Sequence, residues 1–270
     1  MLTEIQQAVD YIRSKCDVKP VAGIVLGSGL GSFTSEIQID CEIPYTDIPH
    51  FPVSTVEGHS GKLIIGTLGG KKVAAMAGRF HYYEGYSTQE VIFPIRVLKF
   101  LGIKTLLISN AAGGMNPSFQ VGDLMIIHDH ISLFAVNPLI GKNESRLGPR
   151  FPDMSEPYTK ALINKATAIA ANNNIIIKDG VYVGVTGPTF ETRAEYKMLH
   201  LLGADSVGMS TVAEVICAAH MGLPVFAMSV ITDVGIREEE NTITHEEVLA
   251  AAKEAEPKLT LLFKEMIAQL

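Results

Sequence analysis

The chain has no tryptophan and only three cysteines in 270 residues. Cys16, Cys41 and Cys217 are odd in number, far apart and without metal-ligand or redox spacing. That excludes a disulfide framework and predicts the reduced thiols of a cytoplasmic protein. Blocks of like charge are missing, so no polyelectrolyte tail is expected. The formal net charge of -7 argues against a nucleic-acid partner, for which basic stripes are expected. No Pro/Ser-rich linker, low-complexity run or internal repeat divides the chain, so residues 1–270 are predicted to form one domain. Long hydrophobic runs are absent too. The longest, Val215 to Thr232, is broken by His220, Gly222 and Pro224 and reads as a helix end followed by a buried strand, not a membrane span. Glu4 and Asp10 stand where a signal peptide would need an apolar core.

What is present is apolar substance: 47% of the residues are hydrophobic, ample for a sizeable core. Residues 2–15 carry Ile5, Val9 and Ile12 at helical spacing. Val21 to Leu26 is a short continuous apolar run, as in a strand buried on both faces, and it leads into Gly27-Ser28-Gly29-Leu30-Gly31. Residues 62–65 and 72–77, around Gly69-Gly70, predict a hairpin. Further helices are predicted at 88–101, 157–173, 192–202, 211–221 and 245–268. Further strands are predicted at 105–109, 123–127, 181–185 and 224–232. Strands alternating with helices predict an α/β sheet covered on both sides, with the site at strand ends and the loops that follow them.

Several of those places carry chemistry. The loop from Gly27 to Gly31 is no dinucleotide fingerprint, because the third glycine would fall at Ser32. Its backbone N–H groups and the Ser28 hydroxyl suit a small anion, or the loop is simply a tight turn. Arg79 offers a planar fork for an anion with several oxygens, and His81 and Tyr83 can donate to phosphate or sugar hydroxyls. His59 sits between glycines in a turn. Asn110-Ala111-Ala112-Gly113-Gly114 is small enough for backbone to lie against a ligand, or serves as a helix cap or turn. Glu191, after Phe190, needs a partner if buried, or caps the helix that follows. Met209 reads equally as core filler, and His245 as part of a helix start.

In order along the chain, Gly58-His59-Ser60-Gly61, Gly78-Arg79-Phe80-His81, Asn110 to Gly114, Gly187-Pro188-Thr189-Phe190-Glu191-Thr192 and Gly208-Met209-Ser210-Thr211-Val212 resemble the trimeric class of purine nucleoside phosphorylases. The resemblance runs from Leu26 to Val248. It implies a single-domain α/β fold with a central mixed β-sheet flanked by helices, and a homotrimer active in purine salvage. The implied reaction is attack of inorganic phosphate on the anomeric carbon of a purine nucleoside, with no metal and no organic cofactor. It implies phosphate contacts from Ser28, His59, Arg79, His81, the Ala111 backbone and Ser210. Tyr83, Met209 and His245 would meet the ribose, and Ala112, Gly113, Phe190, Glu191 and Asp233 the base. His81, Glu191 and Asp233 are the implied catalytic positions, and Phe151 matches a position that closes a neighbouring subunit's pocket.

One position departs from the pattern. The family usually has an asparagine after the Ile-Thr that ends the last strand, where its amide donates to purine N7. Here the segment is Ile231-Thr232-Asp233-Val234-Gly235. Aspartate there resembles the methylthioadenosine phosphorylases, which take 6-aminopurines but do not keep the glutamate found here as Glu191. Ionised Glu191 accepts from the N1–H of inosine or guanosine, whereas ionised Asp233 accepts from a 6-amino group and opposes a 6-oxo group. Protonating an ordinary aspartate at pH 7 costs about 4 kcal/mol. The pair predicts 6-oxopurine activity with some tolerance for 6-aminopurines.

Overall fold

The computed structural model describes residues 1–53, 55, 60–235 and 243–270. In chain order its elements are α1 (Leu2–Lys15), β1 (Ala22–Val25), β2 (Gln38–Pro44), β3 (Lys62–Leu68), β4 (Lys71–Ala77), α2 (Thr88–Leu101), β5 (Thr105–Gly114), β6 (Leu124–Ser132), α3 (Lys160–Asn172), β7 (Ile177–Gly184), α4 (Arg193–Leu201), β8 (Ser206–Gly208), α5 (Val212–His220), β9 (Val225–Val234) and α6 (His245–Ala268). Short 3-10 turns occupy Gly31–Glu36, Tyr45–Asp47 and Tyr82–Glu84.

Successive residues of the central strands enter two different cores, the two-residue period of a strand buried on both faces. Val25, Leu106 and Val225 join α1, α2 and α5 on one side of the sheet. Ile24, Leu107 and Phe226 join α3 and α6 on the other. This is why those segments read as unbroken apolar runs rather than alternating ones.

The strand order is β2-β3-β4-β1-β5-β8-β7-β6-β9, and β9 returns to pair with β5. The strands β5, β8, β7, β6 and β9 therefore close on themselves, while β2, β3, β4 and β1 form an open wing. The sheet is mixed, as expected. β1 runs parallel to β4 and β5, and β5 to β9, whereas β2–β3, β3–β4, β5–β8 and β6–β9 are antiparallel.

Reciprocal capping boxes fix the starts of α2 (Ser87 with Glu90), α4 (Thr192 with Glu195) and α6 (Thr244 with Glu247). α4 is thus capped by Thr192, and Glu191 is released from the capping role the sequence allowed it. The stretch Asn110 to Gly114 is neither cap nor turn. It continues β5, because β9 pairs alongside it with a bulge at Thr232 opposite the Ala112–Gly113 step, and β8 pairs with Gly113 and Gly114. β7 starts four residues before the predicted strand and α3 three residues after the predicted helix start. β2 and β8 were not expected: β2 is an exposed edge strand carrying Asp40 and Glu42 with a bulge at Asp40, and β8 is three residues long.

Candidate active site

Because β1, β4, β5 and β9 run parallel, the segments that end them gather at one end of the sheet. They are Gly27-Ser28, Arg79 to Tyr83, Asn110 to Gly113 and Thr232-Asp233. Together with Phe190, Glu191, Met209, Ser210 and His245 they line a cavity of about 390 Å³.

At one end of the cavity lies Arg79, just past the end of β4 and only 1% exposed. Glu214 of α5 holds the Nε–Nη2 edge of its fork, at 3.1 and 2.8 Å. Nη1 donates to the Ser109 carbonyl at 2.7 Å and to Ser210 Oγ at 3.3 Å. The fork is therefore half-occupied by a carboxylate, and its Nη1 end stands beside the Ser210 hydroxyl. Thr211 follows with φ 69° and ψ −52°, and Val212 N–H donates back to the Ser210 carbonyl at 2.7 Å, a three-residue turn rarely adopted by a β-branched residue. Asn110 Nδ2 donates to the Thr211 hydroxyl at 2.8 Å, and Glu214 accepts from the Thr211 N–H at 3.1 Å. These bonds over-determine the strained turn and aim Ser210 into the cavity.

His81 is also buried. Its Nδ1 pairs with Glu84 Oε1 at 3.0 Å and its ring stacks on Tyr83 with centroids 4.7 Å apart. Burial pushes the His81 imidazole below its ordinary value, so the neutral ring is favoured, with Arg79 adding to the effect and Glu84 opposing it. Burial would raise Glu84, yet donors from His81 and Thr55 outweigh it and hold the carboxyl at about 2.

At the other end, Asp233 is 8% exposed and accepts from Tyr196 Oη at 2.9 Å. Glu191 faces the same phenol. Burial raises Glu191 above its ordinary value, and the charge of Asp233 adds to this against hydrogen bonds from its own amide and Tyr196. Phe190 is 42% exposed and offers an aromatic face at the rim. Gly113 is required here: a Cβ would stand 2.7 Å from Tyr196 Oη and 3.0 Å from Asp233 Oδ2. Gly187 is required beside Met209, whose thioether a Cβ would meet.

Nearly all the site residues expected from sequence therefore converge. Phe151 does not: it is 87% exposed and lines a separate surface depression with His130 and Arg150. His59 lies outside the described residues. Among the described residues no three His, Cys, Asp or Glu side chains cluster as metal ligands, and no helix is long and apolar enough to cross a membrane. Sequence reading gave no role to Glu214, to Tyr196 or to the Asn110 side chain. The Thr211-x-x-Glu214 spacing flags Glu214 as a helix-start acid, but its partner Arg79 is 135 residues away. Tyr196 gave no signal beyond being an aromatic residue in a helix.

A profile of the phosphorylase superfamily matches residues 21–268. The chain is 48% identical to purine nucleoside phosphorylase 1 of Geobacillus stearothermophilus over 268 residues, covering 99% of this chain and 98% of that protein. Its fold superposes on the Schistosoma mansoni purine nucleoside phosphorylase solved with adenosine, at a TM-score of 0.95 and 42% identity, covering 100% of this chain and 98% of that one. The inosine complex of the S. mansoni purine nucleoside phosphorylase matches with a TM-score of 0.94 and 42% identity, over 100% of this chain and 97% of that one.

Proposed function

The chain belongs to the phosphorylase superfamily, among the purine nucleoside phosphorylases, and from that footing we propose that it cleaves purine ribo- and deoxyribonucleosides with inorganic phosphate, releasing free base and pentose 1-phosphate. The observation that carries this reading is a single cavity with a donor-rich end at Arg79, His81 and Ser210 and an aromatic, carboxylate-bearing end at Phe190, Glu191 and Asp233. Ser28 and the Ala111 backbone complete the phosphate subsite. Tyr83, Met209 and His245 hold the pentose between the two ends. Ala112 and Gly113 lie along the base.

Glycosidic cleavage builds positive charge on the sugar and negative charge on the departing base. Donors fixed around the phosphate keep the nucleophile in line, which removes up to about 7–11 kcal/mol of entropic barrier in well-oriented systems. Groups on the polar edge of the purine stabilise the base as it leaves. Phosphate itself is the nucleophile, so neither an enzyme nucleophile nor an organic cofactor or metal takes part.

The carboxylate pair supports 6-oxopurines as the favoured substrates, through Glu191, with 6-aminopurines tolerated through Asp233. Complexes of the S. mansoni relative with inosine and with adenosine are in keeping with both. A methylthioadenosine phosphorylase is the second reading, favoured by Asp233 and opposed by polar His245, where a methylthio group needs an apolar wall. The protein is proposed to work in the cytoplasm as a homotrimer in which Phe151 closes the neighbouring subunit's cavity. Base release from inosine, guanosine, adenosine and methylthioadenosine, with and without phosphate, tests the reading. Release only with phosphate, and a loss of roughly 10²–10³-fold in Arg79→Ala, are expected. Phosphate-independent release marks a hydrolase instead, and binding without turnover a nucleoside carrier.

A further inference from the structure

Two carboxylates and one phenol meet at the base end of the cavity. Tyr196, on the first turn of α4, donates to Asp233 Oδ2 at 2.9 Å and faces Glu191 as well. A phenol has one proton and can donate it to one carboxylate at a time. The geometry gives that proton to Asp233. The Thr232 hydroxyl reaches the other oxygen, Oδ1, at 3.3 Å, while also facing the Ala112 carbonyl at 3.4 Å. Hydroxyl donors on a carboxylate favour its charged form. Two negative charges side by side in a buried pocket are disfavoured, so the ionisation of Asp233 works against that of Glu191.

We propose that Tyr196 is a positioning residue that sets the purine preference: its one hydroxyl proton holds Asp233 as an ionised acceptor for a 6-aminopurine, while Glu191 remains the contact for a 6-oxopurine. The inference rests on the reading of Glu191 and Asp233 as base contacts. Ionised Asp233 accepts from the exocyclic amine of a 6-aminopurine. Glu191 can donate to the bare N1 of the same ring only when it carries a proton. Both contacts invert for a 6-oxopurine, whose N1–H needs an ionised Glu191. Tyr196 is thus the source of 6-amino tolerance in a cavity otherwise suited to 6-oxopurines.

The surroundings fit. Burial raises Glu191 and the charge of Asp233 adds to this, so the two carboxyls act on one another. Glu195 on α4 adds negative charge near Glu191, while one of its oxygens accepts from the Thr192 N–H at 2.7 Å. His245 lines the cavity from α6, β8 contributes apolar Val207, and β5 contributes Gly113, whose missing side chain admits the Tyr196–Asp233 contact.

Tyr196→Phe removes the proton and keeps the ring. The expected result is a fall in kcat/KM for adenosine of about tenfold, the equivalent of one pK unit of differential interaction, with inosine held within about twofold. Asp233→Asn is expected to lower adenosine in the same way. The double variant is expected to match Asp233→Asn alone, because Tyr196 acts through Asp233. Equal losses for both nucleosides, an unchanged ratio, or additive losses in the double variant overturn the inference. If Tyr196→Phe melts early, Asp233→Asn carries the test, and unchanged adenosine turnover there overturns it too. Failure of the underlying reading looks different: Glu191→Gln would leave inosine turnover intact, or neither nucleoside would be cleaved with phosphate.

Discussion

The Glu191 carboxyl illustrates how much a single group's surroundings decide. It must be ionised to accept the N1–H of a 6-oxopurine, and burial raises it above its ordinary value of 4.5. Below the raised value it is protonated and the contact is lost. The acid limb of kcat/KM for inosine is therefore expected at a pH above that of an ordinary carboxylate, and absent in Glu191→Gln, measured as a pH profile. Glu214 is the other residue whose role lies in its partner. It is nearly fully buried against Arg79, so Glu214→Ala removes the carboxylate that neutralises a buried guanidinium. A loss of about 3–5 kcal/mol is expected, read as a lower urea midpoint at unchanged slope.

At the scale of elements, the bulge in β9 at Thr232 does the most for the cavity. It lies opposite the Ala112–Gly113 step of β5, next to the place where β8 pairs antiparallel with Gly113 and Gly114. The extra residue re-aims β9 just before Asp233, which lines the cavity. Gly113→Ala forces a methyl against Tyr196 Oη and Asp233 Oδ2, two groups already bonded to each other. Displacement of about 1 Å at a reacting site can cost roughly 10²-fold, so a loss of that order in kcat/KM is expected for inosine and adenosine alike, with thermal melting far less affected. The sequence offered Asn110 to Gly114 as a place for close backbone approach. It could not tell turn from strand, because small residues without an apolar pattern carry no period.

At the scale of the whole molecule, the closed ring of β5, β8, β7, β6 and β9 brings Asp233 and Glu191 to one cavity with Arg79 from the open wing. Phe151 stays outside it, exposed on the surface. Under the proposed trimer it serves a neighbour. Phe151→Ala is expected to raise KM for inosine about tenfold, in line with the ~1.5 kcal/mol or more gained by burying such a ring, while melting changes little. Light scattering on the same samples establishes whether assembly persists.

The amino-acid sequence by itself determined the layered α/β plan, since unbroken apolar runs of strand length need cover on both faces and the helical segments supply it. It also determined most of the cavity's residues, because strand-end motifs fall where parallel strands deliver them. Only the tertiary structure decided the partners. Arg79 with Glu214, and Tyr196 with Asp233, are joined across 135 and 37 positions of chain. No local period or cap records such pairings. They follow from the strand order and from which side chains burial leaves facing one another. The segment from Gly187 to Glu214 thus gains its meaning from a tyrosine within it that the sequence left unremarked.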